Sequence, residues 1–377
     1  MKIGIAAGVV MAGISATASA QSSVTLYGIV DTGVEYVSHS NAAGQGVVRM
    51  PGITGELPSR WGIRGREDLG NGLSAIFALE DGFNVRNGAM NQGGRMFGRQ
   101  AWVGLDSRYG TLTFGRVYTM TALAISDADL MGPDIYGGTA SLDQYMPSAR
   151  SDNTIAYKGS YAGVTVGATY SFGRDSTGTG NSPGQGTCAQ VTGSSKACVE
   201  WSAMLRYDNS GYGVAAAYDV QHGGPGAQAN LYDGTASFAL TNPDDTDTRI
   251  QLNGYGHVGA LRLGAGWIGR RVNLVSPALP NVHSDQFYLT ASYPIAPQFL
   301  LDGGIYHINN SQDDTRGLIA ALRTTYLLSK RTAVYAQGAY LWNSAKAAYT
   351  VSQGGGGTTP APGMGQLGLM IGMRHSF

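Results

Sequence analysis

Leu367-Gly368-Leu369-Met370-Ile371-Gly372-Met373-Arg374-His375-Ser376-Phe377 closes the chain. Read at period two, Leu367, Leu369, Ile371, Met373, His375 and Phe377 share one face of a strand, and Gly368, Met370, Gly372, Arg374 and Ser376 share the other. One face is mostly apolar; the other is small or polar. An aromatic residue at the end of the apolar face suits the interfacial girdle of a transmembrane barrel, whose outer wall meets lipid and whose inner wall meets water. The stretch therefore predicts a membrane-crossing strand in a protein without membrane helices.

The opening residues agree. Lys2 gives a short positive start, an apolar run broken only by glycines extends over 3–14, and Ala18-Ser19-Ala20 supplies small residues before Gln21. That pattern predicts a Sec-type signal peptide over 1–20 and a mature chain over 21–377. The apolar run is too short and too glycine-rich to span a bilayer as a helix.

Composition bounds the rest. The 377 residues include 57 glycines and 21 tyrosines, only 13% are charged, and no run after Gln21 reaches the length of a membrane helix. Without Lys2 the chain carries 24 basic against 25 acidic side chains, a net charge of −1. Near-neutrality argues against nucleic acid as a partner, since displacing phosphate counterions needs a basic surface. Cys188 and Cys198 lie in a Gly/Ser/Thr-rich stretch. In an exported protein they are expected to form a local disulfide closing a surface loop, and no nearby histidine suggests a metal site instead.

The alternation recurs in segments of about ten residues, the length a tilted strand needs to cross a bilayer. Val164, Val166, Ala168, Tyr170 and Phe172 alternate with Thr165, Gly167, Thr169 and Ser171. Trp201, Ala203, Leu205 and Tyr207 do the same, and after the polar turn at 209–211 the pattern resumes with Tyr212, Val214, Ala216, Tyr218 and Val220. Residues 287–293, 318–328 and 334–342 read alike. Short turns are expected at 68–72, 106–110, 159–163, 209–211, 294–297 and 329–331. Long Gly/Ser/Asn/Asp-rich connections are expected at 38–58, 81–94, 117–149, 173–199, 221–248, 271–283 and 343–363. Short turns on one side and long loops on the other describe an outer-membrane barrel, here all-β, antiparallel and of about sixteen strands, wide enough for water inside. A soluble sandwich would alternate too, but it explains neither the leader nor the loop asymmetry nor the terminal aromatic.

No catalytic constellation stands out. The histidines at 39, 222, 257, 283, 307 and 375 are scattered, none begins a His-Glu-x-x-His motif, and there is no Gly-x-Ser-x-Gly elbow. Gly62, Gly65 and Gly70 fall in a strand and turn rather than a phosphate loop. No enzyme activity, cofactor or metal is expected.

Charged residues inside strands are the better lead. Putting Trp61, Ile63 and Gly65 on the lipid side sends Arg60, Arg64 and Arg66 into the lumen, because an arginine facing the bilayer midplane costs about 2–4 kcal/mol. By the same register Glu80 points inward, as do Tyr27, Asp31 and Glu35 of the first strand, and Thr154, Lys158 and Arg150. Opposed charges across a lumen are what an ion-conducting constriction needs. Strict alternation breaks around Gln100 and at Arg116, which suggests either an outer face packed on another subunit or a bulge.

Several stretches resemble the general diffusion porins of β- and related proteobacteria, of the neisserial and Burkholderia type. They are Ser23-Val24-Thr25-Leu26-Tyr27-Gly28-Ile29-Val30-Asp31, Ser59-Arg60-Trp61-Gly62-Ile63-Arg64-Gly65 with Glu67-Asp68-Leu69-Gly70, Phe97-Gly98-Arg99-Gln100-Ala101, and Gly372-Met373-Arg374-His375-Ser376-Phe377. The resemblance covers essentially the mature chain and implies a sixteen-stranded barrel, usually trimeric, with the third loop folded into the pore. It implies a basic constriction cluster at Arg60, Arg99 and Arg150, with Arg116 a further candidate. Glu80 matches an acidic wall residue, and the third loop, 117–149, carries Asp127, Asp129, Asp134 and Asp143.

The expected function is passive diffusion of ions and small hydrophilic solutes with a weak anion preference. The expected partners are a homotrimer, outer-membrane lipid and lipopolysaccharide, and the barrel-assembly machinery, for which Phe377 would be the terminal signal. A substrate-specific channel or receptor is the first alternative, an outer-membrane enzyme the second. The inward Tyr27, Tyr255, Tyr288 and Tyr335 lie on separated strands and read as wall packing rather than as an aromatic ladder.

Overall fold

The computed structural model describes residues 23–143, 150–176, 186–277, 281–311, 314–352 and 356–377. The expected signal peptide, residues 1–20, and Gln21 lie outside the described residues.

Sixteen long strands form the wall. They are β1 Ser23–Val37, β2 Arg60–Gly70, β3 Leu73–Gly82, β4 Gln100–Ser107, β5 Gly110–Tyr118, β6 Arg150–Tyr161, β7 Val164–Ser171 and β8 Glu200–Asp208. The second half comprises β9 Tyr212–His222, β10 Thr246–Val258, β11 Leu261–Asn273, β12 Val282–Ala296, β13 Phe299–Asn310, β14 Thr315–Leu327, β15 Thr332–Asn343 and β16 Gln366–Ser376. Each pairs antiparallel with its successor, and β1 pairs with both β2 and β16, so the sheet closes and has no free edge. The short strand Val47–Arg49 adds to the loop end of β1.

The burial pattern is inverted relative to a soluble protein. Val24, Leu26, Leu205, Leu252 and Ile371 are exposed, whereas Glu35, Ser171, Ser202, Asp219 and Arg249 are buried. Period-two alternation puts the first set on the outer wall and the second inside, the arrangement lipid imposes on a barrel. The sandwich reading fails on this point, because it would bury the apolar face.

One rim carries the short connections 71–72, 108–109, 162–163, 209–211, 259–260, 297–298 and 328–331. The opposite rim carries 38–59, 83–99, 119–149, 172–199, 223–245, 274–281, 311–314 and 344–365. Sequence reading overlooked the turn at 259–260, where Gly259 stands alone without a polar cluster. Gln100 and Trp102 both face inward, while Val103 and Leu105 are exposed outside. The break around Gln100 is therefore not an outer contact face. At Arg116 the break is a bulge, with the β5–β6 register shifting between Gly115 and Val117.

The apolar core sits inside the barrel. The third loop begins with helix α1 Met120–Ile125 and later forms the short helix α2 Gly138–Ser141. Its Ile125, Met131, Ile135, Tyr136 and Leu142 pack on Tyr288, Tyr306, Ile308, Ile319 and Leu341 of the wall. Two glycines permit the approach: a Cβ on Gly138 would lie 2.0 Å from the Tyr306 ring, and one on Gly264 would lie 1.9 Å from the Ala128 carbonyl oxygen. Cys188 and Cys198 are bonded, with Cα atoms 5.0 Å apart. The bridge closes a turn within the fourth long loop, and it is buried with Ala227, Ala229, Leu231 and Leu240 of the fifth, so the two loops pack on each other.

Candidate functional site: the pore constriction

Antiparallel neighbours bring the loop ends of β2 to β6 to one level of the lumen. Arg60 opens β2, Glu80 lies near the end of β3, Arg99 directly precedes β4, Tyr118 ends β5 and Arg150 opens β6. Register places Glu80 opposite Gly62 and Gln100, and Tyr118 opposite Arg150. Arg99 Nε donates to Glu80 Oε1 at 2.7 Å, and Arg60 Nε lies 3.8 Å from Glu80 Oε2. Tyr27 also donates to Glu80, at 3.0 Å. Arg99 and Arg150 each donate to the Tyr118 hydroxyl at 2.8 Å, and the Arg150 guanidinium stacks 4.4 Å above the Tyr118 ring. Two guanidiniums thus share the Glu80 carboxylate and the third joins them through the Tyr118 hydroxyl, a local excess of positive charge.

Arg116 is placed elsewhere. The bulge turns it to donate to the Gly98 carbonyl at 2.7 Å and to pair with Asp152, which also lies 3.7 Å from Arg95. Arg95 pairs in turn with Asp175. Arg116 and Arg95 are thereby paired with Asp152 and Asp175 rather than with Glu80.

The third-loop aspartates do not form an acidic face opposite that group. Asp134 is buried, accepting from Arg323 at 2.9 Å and from the Tyr136 backbone at 2.8 Å. Asp129 is buried too, accepting from Thr139 at 2.5 Å and Tyr306 at 2.6 Å. Asp143 takes a bidentate pair from Arg249 at 2.9 and 3.0 Å. Asp127 is half-buried, 2.7 Å from Arg206 and 3.5 Å from Arg262. Each acid ties the loop to the wall. Burial pushes the Asp134 carboxyl up to about 7 although Arg323 pulls it down, and burial raises Asp129 as well.

Sequence reasoning missed Tyr118 and Tyr306, which hold these groups in place. Tyr118 was detectable only by carrying the inward register past a bulge, and Tyr306 only by knowing where the third loop lands.

The profile of the Gram-negative porin family matches residues 6–346. The chain belongs to the Gram-negative porins. It is 32% identical to an outer membrane porin protein of Bordetella pertussis, over 92% of this chain and 95% of that one. It is 28% identical to outer membrane porin protein 32 of Delftia acidovorans, over 96% of each. The solved anion-selective porin from Comamonas acidovorans superposes with a TM-score of 0.75 at 25% identity, covering 95% of this chain and all of the other. An outer membrane protein of Vibrio cholerae solved in a trimer form shares the fold, with a TM-score of 0.64 at 15% identity over 94% and 99% of the chains. This porin is accordingly an outer-membrane channel for passive diffusion of ions and small hydrophilic solutes, not an enzyme.

Proposed function

We propose that Arg60, Arg99 and Arg150 form the selective constriction of this porin and make it weakly anion-preferring. The observation that carries the reading is the arginine group around Tyr118 and Glu80, beside which the third-loop acids Asp143 and Asp134 are already paired with Arg249 and Arg323. A fixed positive field in a poorly screened pore raises the local concentration of anions. The anion selectivity named for the Comamonas acidovorans porin supports the same reading. Zero-current potentials in a KCl gradient test it. A reversal potential of anionic sign that grows at low salt is expected, and a cationic sign would refute the assignment.

The oligomer proposed is a trimer. Outer residues of the closing strands β1 and β16, including Val30, Val34, Leu369 and Ile371, are apolar and exposed on the single barrel, and the Vibrio cholerae relative was solved in a trimer form. Migration as a heat-dissociable species three times the monomer mass is expected on gels, and a cross-linking ladder stopping at the monomer would exclude it.

A further inference from the structure

Towards the short turns, below the arginine group, the inner wall holds a second basic site. Arg64 and Arg66 continue the inward face of Arg60 along β2. At about 3.3 Å per residue, Arg64 lies roughly 13 Å from Arg60 along the strand. Together with Tyr27, Ile76, Gln100 and Trp102 these two arginines line a recess of about 420 Å³, within the range that holds small organic ligands.

The row of residues across the recess is distinctive in its chemistry. Arg64 pairs with Ala78, and Ala78 pairs with Trp102. Arg64 and Trp102 therefore stand two strands apart, about 10 Å at the usual strand spacing, and only a methyl group rises between them. On the next row Arg66 faces Ile76, which faces Gly104, giving an apolar floor. The Trp102 indole donates to Gln100 Oε1 at 3.0 Å, which fixes its orientation.

Charge is uneven in this recess. Arg66 pairs with Asp106 at 2.8 Å. Arg64 is exposed, its guanidinium 5.3 Å above the Tyr27 ring, and among the described residues no carboxylate pairs with it. A guanidinium held over an aromatic ring keeps its edge donors available for a carboxylate fork.

We propose that this recess is a docking subsite for small aromatic carboxylates passing through the pore. The flat ring lies on Trp102 above Ala78, and the carboxylate pairs with Arg64. A short aliphatic carboxylate such as acetate gains only the charge interaction, and a puckered ring gains apolar burial but no ring stacking. The inference rests on the reading of the chain as an open diffusion channel, but not on the sign of selectivity at Arg60, Arg99 and Arg150.

The test is a planar-bilayer titration of the purified porin in KCl, with sodium benzoate, cyclohexanecarboxylate or acetate added on the short-turn side. Benzoate is expected to reduce the current saturably, at a concentration about threefold to tenfold below that of cyclohexanecarboxylate, as ring stacking predicts. Acetate is expected not to saturate. Trp102→Ala and Arg64→Gln should each raise the half-blocking benzoate concentration by about the same factor, and Trp102→Phe should largely restore it. KCl reversal potentials on the same membranes establish that the variant pores are intact. Arg60→Gln should shift that potential while leaving the benzoate block in place, which separates failure of the recess from failure of the constriction reading. Equal potency of benzoate and cyclohexanecarboxylate, or a block unchanged by Trp102→Ala, would overturn the proposal.

Discussion

Arg323 of β14 donates to the Asp134 carboxylate of the third loop at 2.9 Å, and the two residues are 189 apart in sequence. The bond does two things at once. It seats the loop against the wall, and it removes from the lumen an acid that would otherwise oppose the arginines across the pore. Asp143 with Arg249, and Asp127 with Arg206, repeat the arrangement at other points of the loop. Loop position and pore electrostatics are thereby set by the same pairs.

Asp134→Ala leaves Arg323 with Asp302 at 2.9 Å and Glu56 at 4.0 Å as its remaining acid partners and strips the Tyr136 backbone donor of its acceptor. The expected cost is about 2 kcal/mol, felt mainly as a looser third loop. Single-channel recordings should show greater open-state noise than wild type; noise identical to wild type would mean that the loop is held by its apolar contacts alone.

Asp134→Asn isolates the charge. Because burial raises this carboxyl from its ordinary 3.8 to about 7, the docked loop binds the proton more tightly than the released one. Stability contributed by that proton is fully present below pH 3.8 and is lost as pH rises through about 7, and Asp129 acts with the same sign. Thermal midpoints measured between pH 4 and 8 should therefore fall less steeply for Asp134→Asn than for wild type. Parallel slopes would count against the assignment.

Neutralising Arg60 or Arg150 should move the KCl reversal potential towards zero, with the larger change at low salt, where screening is weak. Glu80→Gln should move it the other way by freeing Arg99 and Arg60 from their shared carboxylate. A variant set in which all three shift together, or none shifts, would remove this group from the selective region.

Gly264→Ala tests the seat of the third loop without touching a charge. The new methyl would fall 1.9 Å from the Ala128 carbonyl oxygen, which also accepts from Thr290 at 2.8 Å. Overpacking of this kind costs about 1–3 kcal/mol, and here a loop can yield more easily than a barrel strand. A larger conductance with an unchanged heat-dissociation temperature is the expected outcome.

The wall was legible because its chemistry repeats. In β1 the alternation of Val24, Leu26, Val30 and Val34 with Tyr27, Asp31 and Glu35 survives intact in the structure, since lipid on one side and water on the other enforce it residue by residue. The lumen end of β5 was less legible, because a single bulge after Gly115 redirects Arg116 to Asp152. The third loop was least legible. Asp127, Asp129 and Asp134 are alike in sequence, and only the place where the loop lands decides that Arg323 meets one, Tyr306 another and Arg206 the third. Such long-range partners leave no local periodicity to read.

Phe377 supplies the last test. Its backbone N–H donates to Gly28 at 3.0 Å and its carbonyl accepts from Gly28 at 3.1 Å, and its ring lies where a Cβ on Gly28 would sit, 2.3 Å from the nearest carbon. The residue therefore locks β16 to β1 at the seam that closes the barrel, and its exposed ring stands at the lipid boundary of the short-turn rim. Deleting it removes both backbone bonds and the interfacial aromatic together. Surface levels of the truncated chain should drop severalfold while Phe377→Tyr, which keeps the bonds and an amphipathic ring, should insert nearly as wild type. Full surface display of the truncation would show that the remaining β1–β16 pairs, from Ile29 with Ser376 onward, suffice to close and deliver the barrel.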